Sequence, residues 1–177
     1  DLCDLGSPLN KIDFKNYNAS LVNPLELKIK NTKLFNLPPP TQGLASILIL
    51  GVLHELSVPY KNDVDFIHTI VEATKVVFKI RDRYVCDPKY MSKDVNQFLS
   101  KDYIRNLANE INFQKAMPWP EANIGGDTVW LGASDSYGNT VSFIQSIYWE
   151  FGSGIILPKT GITMQNRGIS FSLEQNH

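Results

Sequence analysis

The chain has 177 residues, enough for one ordinary domain with a sizeable core. Its 17 basic and 18 acidic residues leave a net charge of -1, and along the chain no basic stripe points to nucleic acid and no acidic tail to a disordered solvating segment. A hydrophobic content of 43% is that of a folded globular protein, and the two cysteines, Cys3 and Cys86, have no metal-ligand spacing and are too few for a disulfide framework, although a single bridge stays open.

In chain order, residues 13–17 read as a short polar helix or turn. Residues 25–34 begin with alternating apolar and charged side chains, as a half-exposed strand does. The proline triplet of "NLPPPTQG", Asn36 to Gly43, predicts an extended polyproline-type connector. Thr41 then caps a helix over residues 42–56. Its apolar stretch, residues 44–53, is too short to span a bilayer and reads as buried. Val64, Ile67, Val71, Thr74 and Phe78 recur at helical spacing and predict a second helix over 64–83. Asp63 is its expected N-cap, and Lys79, Arg81 and Arg83 suit its C-terminal end. Two shorter helices are expected at 92–99 and 100–111, with Ser100 as the cap between them. "MPWP", Met117 to Pro120, opens a linker that continues to Asp127. Beyond it the pattern turns to strands: a hairpin from 128–134 and 139–148, then short strands at 155–157 and 161–165. Helices followed by strands indicate an α+β architecture. Residues 1–10 carry no signal-peptide pattern, and the chain lacks an initiating methionine. A segment of a larger polypeptide is expected, with its compartment left open.

Most familiar catalytic spacings are missing. His54, His68 and His177 are scattered, with no HExxH, and no GxSxG elbow occurs. "GSG" at Gly152-Ser153-Gly154 lacks the helix and lysine of a phosphate loop. Arg81-Asp82-Arg83 reads as a helix-end ion-pair cluster. What remains is "GGDT", Gly125 to Thr128, at the start of a strand. One reading is a flexible loop with a β-branched residue opening the strand. The other is a cleavage point. Were the Asp127–Thr128 bond cut, the α-amine of Thr128, with a reference pKa near ~8, would serve as the base for its own hydroxyl.

Several ordered segments carry a resemblance. "NPLELKIKNTKLFNLPPPTQG", "VEATKVVFKIRDRYVCDP", "GDTVWLGASDSYGNTVSFIQSI" and "FGSGIILPKTGITMQNRGISFS" are together similar to the gamma-glutamyltransferase family of N-terminal nucleophile hydrolases. The resemblance runs over nearly the whole chain. It implies a four-layer αββα sandwich of which this chain is a segment. Residues 1–127 would end the mostly helical large-subunit region and residues 128–177 would begin the small subunit. It places self-cleavage between Asp127 and Thr128, makes Thr128 the nucleophile, and puts Ser146 where the family has a supporting threonine. In the substrate pocket Tyr148 stands for an asparagine, Arg167 for a glutamine, and Ser170 for an aspartate that pairs with the donor's α-ammonium. "QNRG", containing Asn166 and Arg167, is similar to the acylase-like branch. Arg167 is either a partner for a substrate carboxylate or a structural loop arginine.

The implied activity is that of a threonine amidohydrolase or acyltransferase working through an acyl-enzyme. A glutaryl- or cephalosporin-type acylase and a non-catalytic relative are the alternatives. The implied partners are a small-molecule amide or gamma-glutamyl substrate, water or an amine as acceptor, and the rest of the same precursor. No cofactor, metal, nucleic acid or membrane segment is implied. The oxyanion-hole glycines and the family's carboxylate-binding arginine are expected outside these residues.

Overall fold

The computed structural model of the protein describes residues 2–57, 62–119 and 128–170. Two compact units emerge, one from the described residues of Asn18–Pro120 and the other from those of Asp1–Tyr17 and Glu121–His177.

The first unit is built around the apolar run, which folds as α2 (Gly43–Leu56; α1 belongs to the second unit). Leu44, Ala45, Ile47, Leu48 and Val52 are all buried, as a helix apolar on most of its circumference must be. Against it pack α3 (Asp63–Tyr84), through Ala73, Val76 and Val77, and α5 (Lys101–Asn109), through Ile104, Leu107 and Ala108. Gly51 permits the close approach of α5 and of Leu27: a Cβ there would lie 3.0 Å from Leu27 Cδ2 and 3.1 Å from Ile104 Cδ1. Phe98, fully buried in α4 (Val95–Phe98), sits between the rings of Tyr84 and Tyr103, at 5.2 and 5.3 Å.

Several local expectations change. Residues 25–34 do not form one strand but a hairpin, β1 (Leu25–Ile29) and β2 (Thr32–Asn36), reversed at Lys30 with φ 51°. The N-cap of α3 is Asn62, whose side chain accepts from the Asp65 N–H at 2.9 Å, while Asp63 is the first helical residue. The prolines make a turn in which the Thr41 N–H donates to Pro38 O at 3.2 Å, instead of an extended connector. The Thr41 hydroxyl does accept from the Gly43 N–H at the start of α2, at 3.2 Å. The helix expected over 92–99 contracts to α4 because Asp94 caps it, accepting from the Asn96 N–H. Ser100 caps α5 as expected, accepting from the Tyr103 N–H at 3.3 Å. Cys3 and Cys86 are free thiols.

In the second unit α1 (Lys11–Asn16) is closed by a capping box between Asn10 and Asp13. The hairpin of β3 (Val129–Ser134) and β4 (Thr140–Gln145) pairs Val129 with Gln145 and Ser134 with Thr140. Asp135 closes its turn. The carboxylate accepts from the Tyr137 and Asn139 N–H groups and from Asn139 Nδ2, and the Asn139 hydrogen bonds hold its carboxyl below the usual range. The strands expected at 155–157 and 161–165 reduce to a single bridge, Ile156 to Thr163. Val129, Trp130, Leu131, Val141, Phe143 and Ile144 all lie exposed, so the hairpin is apolar on both faces. Among the described residues no helix is long and apolar enough to cross a membrane.

Candidate functional site

The register of β3 and β4 decides what meets at the open end of their hairpin. With Val129 opposite Gln145, the next pair outward is Thr128 and Ser146. Two hydroxyls eighteen residues apart in sequence are thereby brought together, and Thr128 Oγ1 donates to Ser146 Oγ at 3.1 Å. The turn at Asp135 to Asn139 fixes this register, since a one-residue slip would turn one of the two hydroxyls to the other face.

Ser146 is held from two further directions. Its hydroxyl oxygen accepts from the Tyr148 N–H at 2.9 Å, a serine turn that ends the strand. Its backbone carbonyl accepts from Arg167 Nη2 at 3.1 Å. The Arg167 guanidinium lies 5.7 Å from the centre of the Tyr148 ring, within cation–π range. Tyr148 itself has φ 83°, a left-handed conformation that a bulky side chain rarely adopts. Such a residue persists only where its surroundings over-determine it, at a cost of about 1–3 kcal/mol. Here the Ser146 hydroxyl and the Arg167 stack are two of the determinants.

Asn166 laces the same segment from the other side. Its side-chain oxygen accepts from the Trp149 N–H at 3.1 Å, and its own N–H donates to Ile147 O at 3.3 Å. Gln165 Oε1 accepts from the Arg167 N–H. Residues 146–149 and 165–167 therefore form one hydrogen-bonded patch beside Thr128. Ser170 closes the short 3-10 turn Arg167–Ser170, and its side chain is outside the described set, as are Asp127 and His177.

The "GSG" turn, discounted above as a phosphate loop, has a building role. Ser153 donates both its N–H, at 2.8 Å, and its hydroxyl, at 2.9 Å, to Met164 O. Gly152 has φ 56°, and a Cβ there would meet Met164 O at 2.4 Å, so only glycine lets the two segments lie this close. The glycine was visible in the sequence, but its partner twelve residues on was not.

Two chemical properties follow. The Thr128 hydroxyl has a fixed direction, because its proton is committed to an oxygen that is itself held by Tyr148. Beside it stands a cation, and among the described residues no carboxylate forms an ion pair with Arg167. Its partners are a backbone carbonyl and an aromatic face, which leaves its charge available to an anion.

Comparison with known proteins gives a consistent set of matches. The sequence model described as Gamma-glutamyltranspeptidase matches residues 1–177. The oxamate amidohydrolase proenzyme of Klebsiella pneumoniae is 46% identical over 173 residues, covering 98% of this chain and 33% of that protein. The glutathione hydrolase-like YwrD proenzyme of Bacillus subtilis is 35% identical over 174 residues, covering 97% of this chain and 33% of its own length. Among solved structures, a cephalosporin acylase from Bacillus halodurans superposes with a TM-score of 0.80 at 38% identity, covering 99% of this chain and 32% of that one. The chain spans about a third of the length of the relatives it matches.

Proposed function

This chain belongs to the gamma-glutamyltranspeptidase family of amidohydrolases and acylases, as a segment of its α+β sandwich, and on that premise we propose that Thr128 is the nucleophile of a self-processing amidohydrolase. The observation that carries this reading is the 3.1 Å hydrogen bond from Thr128 Oγ1 to Ser146 Oγ at the open end of the hairpin.

In maturation the Thr128 hydroxyl attacks the carbonyl of Asp127. The C–N bond breaks, an ester forms on Oγ1, and the α-amine of Thr128 is released. Water then opens the ester and leaves Asp127 as a carboxylate. In turnover the freed amine takes the hydroxyl proton as Oγ1 attacks the substrate amide, and it returns that proton to the departing amine. The acyl group stays on Thr128 until water removes it, or until an amine acceptor does so in a transfer reaction. Ser146 orients the hydroxyl in both steps.

The substrate is an amide whose acyl part carries a carboxylate and no neighbouring ammonium. Arg167, without an acidic partner among the described residues, favours an anion and repels a cation near Thr128. The name of the Klebsiella relative supports this class: oxamate is an amide with a carboxylate on the adjacent carbon. A glutaryl amide carries the same charge on a longer arm.

Full-length precursor tests the reading. It is expected to yield a fragment that begins at Thr128, and Thr128→Ala should abolish that fragment. Oxamate and glutaryl amides should be hydrolysed with higher kcat/KM than the gamma-glutamyl amide matched to the glutaryl one. A folded wild-type precursor that stays intact indefinitely would favour a non-catalytic relative. A clear preference for the gamma-glutamyl compound would refute the role given to Arg167.

A further inference from the structure

The chemistry above gives no part to Asn166, yet this half-buried residue grips the backbone on both sides of Tyr148. Its N–H donates to Ile147 O at 3.3 Å, and its side-chain oxygen accepts from the Trp149 N–H at 3.1 Å. Ile147 O belongs to the peptide unit before the Tyr148 Cα, and the Trp149 N–H to the unit after it. Each peptide unit is planar, so the turn of one plane against the other is what sets φ and ψ of Tyr148. One residue therefore spans the two bonds about which Tyr148 rotates.

That rotation matters because of what else the first unit carries. Its N–H, that of Tyr148, donates to Ser146 Oγ at 2.9 Å, and the same oxygen accepts the Thr128 hydroxyl at 3.1 Å. At φ 83° Tyr148 sits in a region that a bulky side chain leaves when it is free to do so. Relaxation to negative φ swings the first unit against the second and takes the N–H off Ser146 Oγ. The Asn166 side chain holds the second unit against this swing. Its own footing is fixed: the Met164 N–H donates to Ile155 O at 2.9 Å, and Met164 O accepts both the N–H and the hydroxyl of Ser153.

We propose that Asn166 is a positioning residue for the nucleophile, acting through Tyr148 and Ser146 rather than on the substrate. The proposal rests on the reading of Thr128 as the nucleophile. The path runs from the Asn166 side chain to the Trp149 N–H, across Tyr148 to its own N–H, and through Ser146 Oγ to the Thr128 hydroxyl. Every member of it is a described residue of the second unit. Two properties mark such a role. Position 166 needs only an acceptor oxygen, because a donor is what it holds. Its effect must also vanish when the Ser146 hydroxyl is gone, since residues that act through one link are not additive.

The test uses full-length precursor with Asn166→Ala, Asn166→Asp, Ser146→Ala and the double variant Asn166→Ala/Ser146→Ala. The first-order rate of fragment appearance is followed by gel. For wild type and Asn166→Ala, kcat and KM on a glutaryl amide are measured once cleavage is complete. Losing this hydrogen bond should slow both processing and kcat of Asn166→Ala by at least about threefold, with KM within about twofold of wild type. Asn166→Asp keeps the acceptor oxygen and should process faster than Asn166→Ala. In the Ser146→Ala background, Asn166→Ala should cost less than about a further twofold. A smaller loss in Asn166→Ala, an Asn166→Asp no faster than it, or a larger further loss in the double variant would each overturn the proposal. A KM raised beyond that limit would overturn it too, because Asn166 would then touch the substrate. Loss of the cooperative melt in Asn166→Ala would assign the residue to the fold alone and have the same effect. A wild-type precursor that is never cut would remove the nucleophile reading and this proposal with it, whereas a normally cut wild type with an unaffected Asn166→Ala would remove this proposal alone.

Discussion

Replacing Ser146 with alanine removes one oxygen that serves two donors. The Thr128 hydroxyl loses its partner at 3.1 Å, and the half-buried Tyr148 N–H loses its partner at 2.9 Å. Each neutral hydrogen bond contributes about 0.5–1.5 kcal/mol net. If both losses are felt in the transition state, the barrier rises by about 1–3 kcal/mol, or roughly 5- to 150-fold in rate at about 1.4 kcal/mol per decade. The effect should fall on both reactions of Thr128, because both need its hydroxyl pointed the same way. Ser146→Ala is thus expected to reduce the processing rate and kcat/KM together, by about 30-fold each, with the cooperative melt preserved. Ser146→Thr keeps the oxygen and should remain within a few-fold of wild type. Gel-based processing kinetics and initial rates on a carboxylate amide would check both. If Ser146→Ala processes and turns over within twofold of wild type, the hydrogen bond between the two hydroxyls has no catalytic consequence and the reasoning fails.

Tyr148→Asn suits the backbone, since asparagine tolerates φ 83° better than tyrosine. It should leave the melting temperature unchanged or slightly raised while narrowing the preference for glutaryl over gamma-glutamyl amides, measured as a ratio of kcat/KM. Arg167→Gln removes a charge that is exposed to solvent. Screening limits the direct effect to about 0.2–1 kcal/mol, so KM for a glutaryl amide should rise roughly 1.5- to 5-fold with little change for an uncharged amide. At Glu72, burial pushes the carboxyl up, but hydrogen bonds from Lys75 and Met117, with the charges of Lys75 and His68, outweigh it and hold the pKa below its ordinary 4.5. The stability this linkage confers is complete above that value and is lost as pH falls through the lower folded value. The melting-temperature gap between wild type and Glu72→Gln should therefore be widest near neutral pH and close in acid; a gap that persists unchanged at pH 3 would contradict the assignment.

The parts of the fold legible in the sequence were those with a local cause. α2 announces itself as a short continuous apolar run, α3 by residues recurring at helical spacing, and Ser100 by its place before a helical run. The pairing of Thr128 with Ser146 was within reach because a turn of five residues with Asp135 and Gly138 fixes the register for both strands. The β1–β2 reversal was hidden because it uses Lys30 at φ 51° where a glycine would have signalled it. The position of Tyr148 in left-handed space has no sequence signature either; it follows from the hydroxyl two residues before it and from Arg167, nineteen residues on. Glu72 and Lys75 carry no signal of their own in the sequence, because the partner of this buried pair, Met117, lies more than forty positions away.

The hairpin of β3 and β4 has a consequence for how the polypeptide must be made. It carries Trp130, Phe143, Ile144 and Leu131 exposed, and among the described residues no further strand pairs along either outer edge. Two strands alone are marginally stable in water, and apolar strands with open edges are templates for pairing with other chains. The helices around α2 close through contacts nearby in sequence and can settle early during synthesis. The hairpin emerges afterwards with its apolar surface uncovered. While that surface stays uncovered these two strands are where the chain is most open to misassociation, and a product truncated after them should accumulate in the insoluble fraction.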